Sequence, residues 1–127
     1  MSYYTNIWMH AKSDNAYRDE KQAEEEILGV ILQEYGESFD SLDFFSVYGV
    51  KLAPDLKDEP LFRAIQKHLT EDAIVVIRYQ GEEINDIGLY FITKNEIVWV
   101  PYELKMDFSG LTEDQKRRFT EIVGKGA

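Results

Sequence analysis

The chain has 127 residues, of which 44% are hydrophobic and 13% aromatic, so it is long enough for one folded domain and too apolar for a disordered chain. It has no cysteine and only two histidines, which excludes a disulfide framework, a thiol nucleophile and a thiolate metal site. The 24 acidic residues outnumber the 14 basic ones, and the net charge of −10 repels nucleic acids and anionic membranes. We expect a single acidic domain over residues 1–127, without a membrane span or signal peptide, in the cytoplasm.

The acidic residues are concentrated in the first part of the chain. Residues 1–49 contain ten acidic and three basic residues, a net charge of −7. An acidic surface of this kind can steer a basic partner and raise its association rate. It can also do no more than keep the protein in solution, and the sequence leaves both interpretations open.

The first predicted elements are a strand and a helix. Residues 3–11 are rich in aromatic and β-branched types, which predicts a strand. The more apolar side chains alternate along it, so we expect Tyr3, Thr5, Ile7, Met9 and Ala11 to face the core. Apolar residues then recur at helical spacing, which predicts a helix over 14–35, capped by residue 13, 14 or 15 and ended by Gly36.

Residues 39–53 have no clean periodicity. We predict a strand over 44–52 with a possible bulge at Gly49, and a helical turn over 40–44 is the main alternative. A second helix is expected to begin at the segment Asp58-Glu59-Pro60, because acidic residues and proline favour the first turn. Leu61, Phe62, Ile65 and Leu69 would form its apolar face.

The second half of the chain predicts three strands and a helix. The unbroken apolar run 73–79 is typical of a central strand covered on both faces. Segments 87–93 and 96–104 predict a hairpin turning at Lys94-Asn95, since Asn tolerates a positive φ, and Pro101 predicts that its second strand is an edge.

A third helix is predicted by a capping box at Thr112 and Gln115. Phe119, Ile122 and Val123 would give it an apolar face, and Gly124 would end it. The predicted fold is therefore α+β, a mostly antiparallel sheet of about five strands with three helices on one face, in the order β-α-β-α-β-β-β-α.

No motif in the sequence carries recognisable chemistry. The carboxylate pairs have no apolar surroundings that would desolvate one member, as general acid–base catalysis requires. No spacing is typical of a metal site, a phosphate-binding loop or a serine nucleophile. We therefore predict no catalytic residue, no metal and no cofactor, and we lean towards a protein that is not an enzyme.

The acidity and the many aromatic residues favour a protein-binding function. We predict an inhibitor or immunity-type domain that binds a basic protein, such as one that acts on nucleic acid, without contacting nucleic acid or membrane itself. The candidate contact residues are acidic side chains of the first helix and the following loop, with both tryptophans: Glu20, Glu24, Glu25, Glu26, Glu37, Asp40, Asp43, Trp8 and Trp99.

Two other functions stay open. The chain could bind a small ligand, or be an enzyme, with a pocket between sheet and helices lined by His10, Tyr48, His68 and Tyr79. It could also be a self-associating structural subunit, joined through the edge strand near Pro101 or through exposed aromatic residues.

Overall fold

Five antiparallel strands form one sheet in the order β2-β1-β3-β4-β5. The computed structural model describes residues 3–103 and 109–126. The strands are β1 Thr5–Lys12, β2 Ser46–Val50, β3 Val75–Gln80, β4 Ile87–Ile92 and β5 Ile97–Pro101. The helices are α1 Glu20–Tyr35, α2 Pro60–His68 and α3 Glu113–Gly126, with a short 3-10 helix at Leu56–Asp58. The predicted α+β class and element order are confirmed.

Helices α1 and α2 cover one face of the sheet. Ile27 of α1 and Phe62 of α2 are fully buried in one cluster with Ile77 of β3. The opposite face of β3 carries the exposed side chains of Arg78 and Gln80. The prediction that β3 is covered on both faces is therefore wrong, because both packing helices lie on the same side.

Strand β1 changes its inward face part-way along. Thr5 and Ile7 are buried as predicted, but Tyr3 lies before the strand and is exposed. The pairing of β1 with β3 shifts between Met9 and Ala11, and Ala11 is exposed. Since an extra residue reverses the alternation of side chains, the prediction that Ala11 faces the core is wrong.

Helix α1 begins six residues later than predicted. Its N-cap is Asp19, whose carboxylate accepts a hydrogen bond from the backbone N–H of Gln22 at 3.2 Å. Before the helix, Tyr17 forms an isolated β-bridge with Leu69, just after α2, and the N–H of Arg18 donates to the carbonyl of His68 at 3.0 Å. The helix ends as predicted at Gly36, whose φ of 73° is the left-handed conformation that glycine adopts easily.

The bulge predicted at Gly49 is confirmed. Gly49 has a φ of 69°, and the register of β2 against β1 shifts between Thr5 and Ile7. The side-chain oxygen of Asn6 accepts a hydrogen bond from the N–H of Gly49 at 2.8 Å, which fixes the bulge. The strand itself is shorter than the predicted 44–52, and residues 42–43 form a turn rather than a helix.

The β4–β5 hairpin turns at Lys94-Asn95 as predicted, with the N–H of Thr93 bonded to the carbonyl of Glu96 at 2.9 Å. Asn95 does not have a positive φ, so the expectation that the turn uses the left-handed conformation of Asn95 is wrong. Strand β5 is an edge strand, as Pro101 predicted, but it ends at Pro101. The strand was predicted to extend to residue 104, which lies outside the described residues.

Gly88 in β4 is expected to tolerate no side chain. A Cβ atom there would lie 2.5 Å from the carbonyl oxygen of Val100 and 2.8 Å from the Cα of Pro101, both on β5. Because the obstacle is backbone, Gly88→Ala must push β5 away, and we expect a loss of about 1–3 kcal/mol in unfolding free energy. Urea denaturation measures it, with Gly29→Ala as the control, since a Cβ at Gly29 meets nothing within 4 Å.

Helix α3 begins with the predicted capping box. The hydroxyl of Thr112 accepts from the N–H of Gln115 at 3.2 Å, and the Gln115 side chain accepts from the N–H of Thr112 at 2.9 Å. The helix continues to Gly126, so Gly124 does not end it. Ile122 is 71% exposed, and the side chain of Val123 lies outside the described part. No helix within the described residues is long and apolar enough to cross a membrane.

Candidate functional site

The acidic residues of α1 do not share one face of the helix. Successive helical residues are rotated by about 100°, so Glu24 and Glu26 lie about 200° apart. Glu26 faces α2, where it forms ion pairs, and Glu24 lies away from them. The predicted contact residues on α1 are therefore divided between two sides.

Glu26 links α1 to the end of α2. One carboxylate oxygen lies 2.8 Å from Nζ of Lys67, and the other is hydrogen-bonded to Nε2 of His68. These bonds, that of Lys67 foremost, lower the pKa of Glu26 below its ordinary value of 4.5. Glu26 is already engaged within the chain, and His68, a predicted pocket residue, is its partner.

The Glu26 interactions are expected to be lost in acid. A carboxyl group whose pKa is lowered by folding stabilises the protein above the unfolded-state value and loses this contribution as pH falls through the folded-state value. Glu26→Gln should therefore lower the unfolding free energy at pH 7, and the difference from wild type should be smaller at pH 3 than at pH 7. Urea denaturation at both pH values tests this, with the exposed neighbour Glu25→Gln as the matched control. A difference that persists unchanged in acid would contradict the assignment.

Lys12 forms ion pairs with two more of the predicted contact residues. Its Nζ lies 2.8 Å from Asp43 and 3.8 Å from Glu20, and the bond to Asp43 raises the pKa of Lys12. The same Nζ lies 5.6 Å from the ring centre of Tyr17. Burial raises the pKa of Tyr17 to about 12, and its buried hydroxyl has no hydrogen-bond partner among the described residues.

The remaining predicted acidic residues form no ion pair with the residues that the structure describes. Within residues 3–103 and 109–126, no ion pair engages Glu24, Glu25, Glu37 or Asp40. Glu25, Glu37 and Asp40 are exposed, and Glu24 is half-buried at the surface. These side chains carry the unneutralised part of the negative charge on α1 and the loop after it.

The two tryptophans lie on opposite faces of the sheet. Trp8 is paired with the exposed Arg78, whose guanidinium lies 5.9 Å from the Trp8 ring centre, and Tyr48 meets the same ring edge-on at 6.1 Å. Trp99 is paired with the buried Tyr90, on the face that the helices cover, and its Nε1 donates to the hydroxyl of Tyr79. One partner surface cannot include both tryptophans without spanning the sheet.

The residues predicted to line a ligand pocket are also dispersed. His10 is exposed on the uncovered face, together with Trp8 and Arg78. Tyr79 is buried in the core, stacked on Tyr90 with ring centres 4.5 Å apart. Only Tyr48 lies beside the cavity described next.

A cavity of about 430 Å³ lies where the end of α1, the start of α2 and strand β2 meet. Glu59, a residue of the predicted start of α2, lines this cavity and is only 2% exposed. Its carboxylate accepts hydrogen bonds from the hydroxyl of Tyr35 and, at 2.7 Å, from the N–H of Ala53. Burial, followed by the bond to Glu59, raises the pKa of Tyr35 and keeps its hydroxyl protonated as the donor.

No protein-family model, curated protein or solved structure matches this chain. Its own side chains are therefore the guide to its function. Within the described residues, no three His, Asp or Glu side chains lie close enough together to hold a metal ion. The features suited to binding another molecule are the unpaired acidic side chains of α1 and its loop, and the cavity above Glu59.

Proposed function

We propose that this chain is a non-enzymatic, cytoplasmic interaction domain that binds a basic protein. The observation that carries the proposal is a group of acidic side chains that form no ion pair within the described residues: Glu24 and Glu25 on α1, with Glu37 and Asp40 in the following loop. Residues 1–49 carry most of the net charge of −10. Negative charge that is not neutralised within the chain attracts a basic surface over a distance of about 10 Å at ordinary ionic strength.

A basic partner that acts on nucleic acid would suit this surface best. Such proteins bind phosphates through clustered lysine and arginine residues, and an acidic domain competes for the same cations. An inhibitor or immunity-type role then follows from occupancy alone, because covering the basic surface excludes the nucleic acid. No catalytic group is needed for that role.

Charge reversal on α1 tests the proposal. Glu24→Lys together with Glu25→Lys removes two negative charges and adds two positive ones, which changes the net charge from −10 to −6. We expect the double variant to lose the protein that wild type retains from a nuclease-treated lysate of the source organism at low salt and releases at high salt. With the purified partner, we expect an association rate at least about tenfold lower at low ionic strength.

The matched control makes the same charge change away from α1, at the two ends of the edge strand β5. Glu96→Lys with Glu103→Lys also gives a net charge of −6, in residues that follow β4 and β5. These changes should leave most of the binding intact. Equal loss of binding in both double variants, or unchanged binding in the α1 variant, would contradict an acidic contact surface on α1.

A further inference from the structure

Glu59 is a buried carboxylate without a counter-charge. It is 2% exposed, and no ion pair engages it within the part of the chain that the structure describes. Transfer of a carboxylate out of water is costly unless the charge is paired or fully hydrogen-bonded. Its two hydrogen bonds, from Tyr35 and Ala53, use half of the roughly four acceptor positions that a carboxylate offers.

The cavity above Glu59 is lined by groups that attract a cation. The exposed residues Tyr4 and Tyr48 are part of its lining, and Glu34 supplies a second carboxylate. Aromatic faces bind ammonium and guanidinium groups through their negative π-electron density. The volume of about 430 Å³ is ample for one long side chain, and the Gly49 bulge holds Tyr48 beside it.

We propose that this cavity receives the guanidinium or ammonium group of an arginine or lysine side chain from the basic partner. That the side chain belongs to a basic protein partner rests on the proposed function. That the cavity binds a cation rests only on the residues that line it. Arginine is favoured, because its planar group can donate to a carboxylate in a fixed geometry and also stack on tyrosine.

Lys51 also lines the cavity and provides a test with the opposite sign. It is exposed and has no ion pair within the described residues, so its charge repels an incoming cation and its flexible stem can turn to solvent. Removing this charge should strengthen cation binding, whereas it would weaken the binding of an anion.

The first experiment titrates the ¹⁵N-labelled chain with N-acetyl-arginine amide and follows amide chemical shifts. The neutral isostere N-acetyl-citrulline amide is the control for shape. We expect saturable shifts at residues 48–51 with the arginine compound and none with the citrulline compound. Tyr48→Ala should weaken binding about two- to fivefold, as loss of an exposed cation–π contact implies. Glu34→Gln should also weaken it, and Lys51→Gln should tighten it.

Two outcomes would overturn the proposal in different ways. Equal shifts, or no shifts, with the two compounds would show that the cavity does not select a cation, and the charge-reversal test on α1 would still decide the proposed function. If the arginine compound binds but Tyr48→Ala leaves the affinity of the isolated basic partner unchanged, the cavity's ligand is a free small cation rather than a side chain of the partner. Tyr48 is 66% exposed, so its replacement should leave the fold intact. Glu59 is buried, and its replacement could disturb the fold as well as the cavity.

Discussion

Replacing Phe62 with alanine is expected to lower the free energy of unfolding by about 3–5 kcal/mol. Phe62 is fully buried on the face of α2 that meets the sheet. Its ring centre lies 5.4 Å from that of Tyr90, which in turn stacks on Tyr79. Alanine at this position removes the aromatic contact and leaves a cavity between helix and sheet, which the flanking strands can fill only in part.

Phe44 provides the matched control, because it is 84% exposed and precedes β2. Phe44→Ala should change the unfolding free energy by no more than about 0.5 kcal/mol. Urea denaturation followed by tryptophan fluorescence measures both variants. Core Phe→Ala changes ordinarily cost about 3–5 kcal/mol. A loss below about 1 kcal/mol for Phe62→Ala, or similar losses in the two variants, would therefore contradict the packing of α2 against β4.

The elements that the sequence predicted correctly are determined by neighbouring residues. Gly36 ends α1 because glycine alone adopts its left-handed conformation without strain. Thr112 and Gln115 begin α3 because their side chains satisfy each other's backbone N–H groups within one turn. Pro101 marks an edge strand because it has no N–H to donate. Each of these rules acts over four residues or fewer.

The errors arise where distant segments meet. Residues 16–18 have helical periodicity, but their backbone groups bond to residues 68–70, about fifty positions away. The apolar run of β3 correctly indicated a central strand, yet which faces are covered depends on where α1 and α2 pack. Sequence periodicity does not report that choice, since both helices could also have been divided between the two faces.

The site shows the same division. Counting charges located the acidic part of the chain, but it did not show that Lys12 and Lys67 neutralise Glu20, Asp43 and Glu26. Glu59 was predicted in the first turn of α2, whereas it is the N-cap residue. Its burial was not predicted, since Tyr35, its hydrogen-bond partner, is 24 positions away. One weak sign was present: Glu59 occupies an N-cap position, where Ser, Thr, Asp or Asn are preferred, and its side chain makes no cap.

Replacing Glu59 with alanine is expected to lower the free energy of unfolding by about 2–4 kcal/mol. Two partly buried donors lose their acceptor, and the penalty of about 1–3 kcal/mol for each is reduced where water can reach the donor. These donors are the hydroxyl of Tyr35 and the N–H of Ala53. Asp58→Ala is the matched control, because Asp58 is the exposed acidic neighbour of Glu59 and its replacement removes the same charge. We expect it to change stability by about 0.5 kcal/mol or less.

A double-mutant cycle with Tyr35→Phe separates the lost hydrogen bond from other effects of the substitution. Once the Tyr35 hydroxyl is gone, Glu59→Ala no longer strands it, so the second change should cost about 1 kcal/mol less than in wild type. Urea denaturation of the four proteins measures the coupling. Strictly additive losses would mean that the two side chains do not interact, and the carboxylate at the base of the cavity would then be held by Ala53 alone. Coupling of the expected size would establish that the Tyr35 hydroxyl and the Glu59 carboxylate interact, so that Tyr35 helps to hold the carboxylate beside the cavity.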